Sequence, residues 1–416
     1  MFTPNYLAKI EGHGKLNIDF DNNKAKLIVD EGERYFEALV RGRKFYDIPF
    51  IVSRICGVCP TSHYLASIKA LENAFGVTPS DTTIILRKIL LLGQIAQSHI
   101  LHTVFLALPD YINVDNISDI SKKCPAEFSS ALRIKKITDK VVEVIGGRAV
   151  HPVTPTIGGF TKLPSVNELE KLRCELMDSW QSVENITKFF VKINYPHLVN
   201  ETEYLALDSD REYSFYEGIV MSSQGYGFKP EKYKKEIQEK VVAGSSAKIA
   251  LHNNKSFMVG ALSRISIHPH RLNANAKNIL DKLFENTNFP SANPYHNNLA
   301  QAIEIMHSFE EMIKLLDKII TSGSIDKNVK YEAKAEEGFG AIEAPRGTLY
   351  HYYKIDKGGK IIDADIITPT VQNLANLESD VNKLMNTSKS LSNKKRTRLV
   401  EMLVRAYDPC ITCSVH

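Results

Sequence analysis
Two CxxC pairs stand near opposite ends of this chain, Cys56-Gly57-Val58-Cys59 and Cys410-Ile411-Thr412-Cys413. Each pair places two sulfurs within one turn of backbone, and two such pairs can grip metal from two sides. Their first cysteines lie 354 residues apart in a sequence of 416. If the pairs meet, the start and the end of the sequence converge, and everything between them is the scaffold that brings them together. Three chemistries suit four thiolates. A structural zinc ribbon keeps its knuckles within tens of residues, so this separation argues against a self-contained one. A redox dithiol needs one pair and a thioredoxin-like βαβ setting, which is missing. A catalytic metal centre assembled from both ends is the third, and the spacing alone leaves all three open.

Composition narrows the class. Hydrophobic residues make up 43 % and charged residues 24 %, ordinary for a globular chain and ample for a core. The net charge of +4 and pI near 8.5 reflect lysines spread along the sequence and make no case for nucleic acid. No run of 18 apolar residues occurs, so no membrane span is expected. Met1-Phe2-Thr3-Pro4-Asn5 lacks a basic stretch followed by an apolar one, so no signal peptide is read here. Six cysteines, four of them in CxxC pairs, are no secreted disulfide framework and point to a reducing compartment, the cytoplasm. No GxGxxG or Walker pattern marks a nucleotide site.

Along the chain, residues 6–30 read as a β-hairpin. Leu16, Ile18 and Phe20 alternate with polar residues, Asp21-Asn22-Asn23 turn the chain, and Ala25, Leu27 and Val29 alternate again. Before the first arm stands Ile10-Glu11-Gly12-His13-Gly14, by composition a surface turn. A short helix is expected around Phe36-Glu37-Ala38-Leu39-Val40. Another runs from Ser62 to Phe75, closed by Gly76, and a long apolar one runs from Asp81 to Leu106, stopped by Pro109. On the last, His99 and His102 share a face. Such a pair can bind metal, and the plainer reading is polar side chains packed in a core. Residues 146–159 form a glycine- and proline-rich loop. Ser165-Val166-Asn167-Glu168 is a capping box opening a helix of about 30 residues. Short strands follow in 200–230, then helices near 231–242, 271–287 and 296–322. Residues 325–370 look extended and turn-rich, with Gly338, Gly340, Gly347 and Gly358-Gly359; helices near 372–388 and 393–406 deliver the chain to Asp408. The expectation is a helix-rich α+β fold with long central helices and a small N-terminal antiparallel sheet. It is read as one interlocked domain over 1–416: a β region to about 50, a helical core over about 62–325, the turn-rich segment, and the metal motif within 371–416.

Several phrases together carry a resemblance. They are Arg-Ile-Cys-Gly-Val-Cys at 54–59 followed by His63, and Asp-Pro-Cys-x-x-Cys-x-x-His at 408–416. With them stand Ile-Glu-Gly-His at 10–13, Phe-Glu at 36–37, Glu-Ala-Pro-Arg-Gly at 343–347 and Ile-Ile-Thr-Pro-Thr-x-x-Asn at 366–373. In this order, over nearly the whole chain, they resemble the large subunit of nickel–iron hydrogenases. The phrases at 257–264 and 297–302 are similar to the cytosolic bidirectional members, which couple dihydrogen to NADP, NAD or a deazaflavin.

The resemblance implies roles. Cys56 and Cys410 are terminal nickel ligands, and Cys59 and Cys413 bridge nickel to an iron carrying carbon monoxide and cyanide. Glu11 is the proton-relay carboxylate, taking the proton that Cys410 first receives, and Arg346 stands above the open site. Pro345, Arg346, Thr368, Pro369 and Thr370 form the cyanide pocket, where Arg346 or Thr370 can donate to a cyanide nitrogen. His63 partners a bridging thiolate. Glu37, the Ile366 carbonyl and His416 hold a separate hard cation, magnesium. The implied activity is reversible heterolytic cleavage of dihydrogen. Only Cys124 and Cys174 remain, too few for an all-cysteine iron–sulfur cluster, so electrons leave through an iron–sulfur small subunit and further NAD(P)- or deazaflavin-reducing subunits. Many membrane-bound relatives have an Asp where this chain has Ser98. Family precursors usually carry an extension cut off after the final histidine by a maturation endopeptidase; this sequence ends at His416, as either a mature form or a gene without the extension would. Two relatives share the fold with another role: hydrogen sensors, and the quinone-site subunit of respiratory complex I, which lacks the four cysteines.

Overall fold
In the computed structural model, which describes residues 5–286 and 289–416, the N-terminal hairpin forms where alternation places it. Strands β1 (Gly14–Asp19) and β2 (Lys24–Val29) pair antiparallel with Leu16 opposite Leu27, and Asn5–Tyr6 adds a third edge. Helix α1 (Phe36–Val40) follows, then α2 (Pro60–Phe75). Helix α2 starts two residues before the expected Ser62, because proline needs no N–H partner in a first turn. Gly76, at φ 66°, closes it in the left-handed region.

Helix α3 (Asp81–Ile100) is capped by Ser80, whose hydroxyl accepts the Thr83 N–H. Pro109 does not stop it. A π-helical stretch over Leu101–Ala107 shifts the hydrogen-bond register, and a further turn, Leu108–Ile112, carries Pro109 near its start, where the missing N–H breaks no bond. The sequence has no strictly apolar span, yet Asp81–Ile112 is long and apolar enough to cross a bilayer; it lies mostly buried inside the fold. It packs against α4 (Pro125–Gly146) and, from the other side, a later 26-residue helix. The capping box at Ser165 is real, but the expected long helix breaks at Ser179 into α5 (Val166–Asp178) and α6 (Trp180–Val191). The helix expected at 231–242 is one short turn, Tyr233–Glu236, followed by a strand, Ile237–Lys240, paired with Ile249–His252. There, strand pairing overrides a helix-like run of Lys and Glu. The helix expected at 271–287 spans Ala274–Asn286, and residue 287 lies outside the described residues. Ala261–Ile267 forms α7, and Asn297–Ser322, the long partner of α3, is α8.

The segment read as extended and turn-rich is an antiparallel meander of β3 (Glu337–Ala344), β4 (Gly347–Ile355) and β5 (Ile361–Ile367). Two of its glycines are not turns. A Cβ on Gly338 would lie 2.0 Å from the Ala70 carbonyl oxygen, and one on Gly340 would lie 2.3 Å from that of Ala66. Bare backbone at these positions lets α2 lie directly on β3. Helices α9 (Pro369–Thr387) and α10 (Asn393–Ala406) complete the chain, and the N-terminal hairpin docks on α9 through Ala25 N–H to Asn382 Oδ1 at 3.1 Å.

Gly340→Ala forces the helix off the sheet, since the new atom meets backbone on both the Ala66 and Ala70 sides. Overpacking of this kind costs about 1–3 kcal/mol. Chemical denaturation of Gly340→Ala should show that loss, whereas Gly32→Ala, with open space around it, should stay within about 0.5 kcal/mol of the parent.

Candidate metal centre
Both cysteine loops are shaped by backbone before any metal binds. After a 3₁₀ turn over Ser53–Ile55, the N–H groups of Val58 and Cys59 point at Cys56 Sγ, at 3.2 and 3.3 Å, and Pro60 starts α2 at once. At the other end α10 stops at Ala406. Asp408 turns the chain with φ 51°, a conformation that Asp tolerates better than most side chains. The Cys410 N–H then donates to Thr370 Oγ1 at 3.1 Å.

The two loops meet. Cys56 Sγ lies 3.3 Å from Cys410 Sγ, Cys59 Sγ lies 3.4 Å from Cys413 Sγ, and the Cys410 and Cys413 sulfurs are 2.9 Å apart. All four sulfurs fall within 4.8 Å of one another and all four residues are buried. The two pairs therefore form one cluster and not two separate CxxC sites. For Cys56 and Cys410, burial pushes the thiol up but contacts with neighbouring thiols outweigh it, leaving both below their ordinary value. Cys59, pushed first by Cys410, and Cys413, pushed first by burial, lie above it. Four negative sulfurs this close repel, so full ionisation requires a cation among them.

Glu11 is no surface turn. Its carboxylate accepts the Thr412 hydroxyl at 2.5 Å and the Thr412 N–H at 3.1 Å, and its carbonyl accepts the Ile411 N–H at 3.0 Å. Gly12, at φ 82°, permits this approach: a Cβ there would sit 2.7 Å from Ile411 Cβ and 3.1 Å from the Thr412 nitrogen. Burial, reinforced by the charge of Cys410, pushes the Glu11 carboxyl up to about 8.

Arg346 donates from Nε to the Asp408 carbonyl at 2.5 Å and from Nη2 to Asp408 Oδ1 at 2.7 Å. Its Nη1 is buried without a partner among the described residues. Burial would push this guanidinium down; Asp408 and then the Cys410, Cys59 and Cys56 thiolates outweigh it and hold the pKa well above its usual value. Pro345 precedes it, with its carbonyl accepting Arg264 Nη2 at 3.1 Å. Thr368 donates its hydroxyl to the Cys413 carbonyl at 3.0 Å, and Pro369 opens α9. Thr370 accepts the Cys410 N–H, and its own hydroxyl hydrogen is left free to donate. His63 Nε2 lies 3.9 Å from Cys413 Sγ. Ser98 is buried, with its hydroxyl unpartnered among the described residues.

The three residues expected at a second cation also converge. Glu37 Oε1 accepts the Ile366 N–H at 2.8 Å, and His416 Nε2 lies 2.7 Å from the Ile366 carbonyl oxygen. His416 is half-buried and tied down at its other nitrogen by the Cys413 carbonyl at 2.7 Å. His99 and His102 are core polar groups: His99 Nε2 lies 2.8 Å from Glu304 Oε2, and His102 is held by Gln301 and the Arg405 carbonyl.

Two residues at the centre were missed by sequence reasoning. Arg34 donates from Nη2 to the Ile55 carbonyl at 2.7 Å and to the Thr412 carbonyl, so one guanidinium ties both cysteine loops. Arg264, 0 % exposed, donates to the Ala344 and Pro345 carbonyls while Glu304 and Glu343 hold its charge, which fixes the segment bearing Arg346. Arg34 lies outside every phrase that carried the resemblance; Arg264 closes the phrase at 257–264, which gave it no role.

Against known proteins this architecture is not isolated. The nickel-dependent hydrogenase family matches residues 34–132 and 197–416. Sulfhydrogenase 1 subunit alpha of Pyrococcus furiosus is 35 % identical, over 100 % of this chain and 97 % of its own length. Sulfhydrogenase 2 subunit alpha of the same organism is 32 % identical over 98 % and 97 %. A solved NAD+-reducing [NiFe]-hydrogenase in its H2-reduced state superposes with a TM-score of 0.88 at 26 % identity, covering 100 % of this chain and 99 % of that one. The chain therefore belongs to the nickel-dependent hydrogenases, as a large subunit. It is an oxidoreductase with four cysteines placed to bind metal.

Replacing Cys59 by serine removes one soft ligand and leaves three buried thiols facing a harder oxygen. Elemental analysis of Cys59→Ser should show loss of bound nickel, with the fold retained by circular dichroism.

Proposed function
We propose that the four cysteines hold a nickel–iron centre whose iron carries carbon monoxide and cyanide, and that the surrounding side chains run reversible dihydrogen cleavage. The observation that carries this reading is the convergence of Glu11 and the unpartnered Arg346 Nη1 on the four-sulfur site. The residues present fit such a group. Four thiolates suit a pair of soft metals, while a buried donor without a partner is costly unless a ligand accepts from it. Arg346 Nη1 and the Thr370 hydroxyl are donors of the kind a cyanide nitrogen needs. When bound, the centre supplies the positions at which dihydrogen is split.

The chain's own groups handle the proton and the environment. Cys410 receives the proton in this reading, and Glu11 takes it next through the loop it already grips. A carboxyl raised to about 8 by burial is matched to exchange near neutral pH. Arg346, fixed by Asp408, directs its free nitrogen over the site, and the buried surroundings exclude water.

Magnesium is assigned to Glu37, the Ile366 carbonyl and His416, hard oxygen donors plus one imidazole. Electrons leave near Gly57, which is exposed between two buried cysteines. Tyr46 and Phe50, 56 % and 45 % exposed on the segment leading there, offer an apolar face for an iron–sulfur partner. Further NAD(P)- or deazaflavin-reducing subunits would then take the electrons. A cytoplasmic setting belongs to the same reading, as does a maturation endopeptidase where a longer precursor exists.

Glu11→Gln keeps the shape and hydrogen bonds of the side chain but carries no proton. Exchange between deuterium gas and water should fall by about 10²–10⁴-fold, with metal content unchanged. An unaltered rate with the metals in place returns Glu11 to a purely structural role.

His416→Ala should deplete magnesium measured by elemental analysis and loosen the 408–416 loop, read as faster proteolysis there.

A further inference from the structure
Behind the sulfur site lies a line of buried side chains that the reading above does not use. His63 Nδ1 is 3.1 Å from His351 Nε2, and His351 Nδ1 is 2.6 Å from the Tyr353 hydroxyl. The two imidazoles meet edge to face, with centroids 5.4 Å apart and planes at 65°. His63 is 1 % exposed, and His351 and Tyr353 are 0 % exposed. His351 and Tyr353 sit two apart on β4 and so point to one face of the sheet. Gly340 stands opposite His351 in register, and its missing side chain is what lets α2 bring His63 this close.

We infer that His351 and Tyr353 set the polarity of this line, so that His63 presents a fixed N–H donor to the bridging thiolate Cys413. The inference rests on the assignment of Cys413 as a bridge in the centre proposed above. A neutral imidazole has one donor and one acceptor nitrogen. A metal-bound thiolate has no hydrogen and can only accept. His63 Nε2 must therefore carry the proton, which makes Nδ1 an acceptor. His351 Nε2 must then donate to it, which makes His351 Nδ1 an acceptor in turn. Only the Tyr353 hydroxyl remains to donate, and burial, with the Glu37 charge beside it, keeps that phenol protonated. Each member is left with one role.

His351 and Tyr353 touch neither substrate nor sulfur; they are positioning residues that act through His63. A hydrogen bond to a bridging sulfur draws electron density from the metals. Less density then flows into the carbonyl ligand on iron, and its stretching frequency rises. Losing the donor lowers that frequency.

The test is infrared spectroscopy of the metal-loaded protein in four forms: parent, Tyr353→Phe, His351→Leu and His351→Gln, each with nickel and iron measured. Tyr353→Phe and His351→Leu should move the carbonyl band to lower wavenumber with the metals retained. His351→Gln, whose amide N–H can still donate to His63 Nδ1, should bring the band back toward the parent position. Bands that stay at the parent position in Tyr353→Phe and His351→Leu overturn the inference alone. Loss of metal from all three variants, glutamine included, also overturns it by making the line a structural support. Absence of carbonyl and cyanide bands from the parent protein overturns the assignment of the centre, and this inference with it.

Discussion

Four sulfurs crowded into a buried site repel one another, and the rest of the structure answers to that repulsion. The metal ion pulls the thiolates together only once the loops are in place, so the loops need holding by something other than the metal. All but one of the clamps are hydrogen bonds to backbone; the exception joins the Glu11 carboxylate to the Thr412 hydroxyl. Arg34 ties Ile55 to Thr412, Thr368 takes the Cys413 carbonyl, Thr370 takes the Cys410 N–H, and Glu11 takes two donors of Thr412. Bonds of this type involving a charged partner contribute about 1.5–3 kcal/mol each, more than neutral ones. Spread over four side chains from three regions of the sequence, they make the site a property of the fold and not of either loop.

A second layer of charge supports the first. Arg264, Glu304, Glu343, His99 and Tyr213 form a buried network in which the guanidinium is bonded to two carboxylates. Such a network adds little net stability over an apolar core, and breaking one member leaves an uncompensated charge. Its use here is geometric. The same guanidinium holds the Ala344 and Pro345 carbonyls, so the direction of Arg346 depends on groups that never approach the sulfurs. Asp408 repeats the device at the other end by gripping Arg346 with both its carbonyl and its carboxylate.

How much of this could be read beforehand follows from the range of each interaction. The cysteine pairs, the N-terminal hairpin and the capped helices are written in local spacing, and the structure has them. The Glu-Ala-Pro-Arg and Asp-Pro-Cys phrases placed Arg346 and Asp408 near the centre, though not their grip on one another. Gly338 and Gly340 read as turns because glycine often means a turn; their purpose, a helix lying on bare strand, exists only once α2 is in view. Pro109 read as a stop because the π-helical register shift that accommodates it has no sequence mark. Arg34, Arg264 and His351 act through carbonyls or through another side chain, and no residue spacing encodes a carbonyl 21, 80 or more residues away.

The distance between the two cysteine pairs also imposes an order on assembly. Closing a 354-residue loop costs on the order of 5 kcal/mol in chain entropy. That cost falls to the helical core, which forms from nearer neighbours and carries the two ends toward each other. Until then Cys56 and Cys59 offer an arriving ion two sulfurs, half of a coordination shell, and bind it weakly. A full set of soft ligands exists only after the last segment has docked. An abundant ion such as zinc therefore meets no finished site before the last segment docks, and the choice of metal is deferred to a moment when the fold is complete.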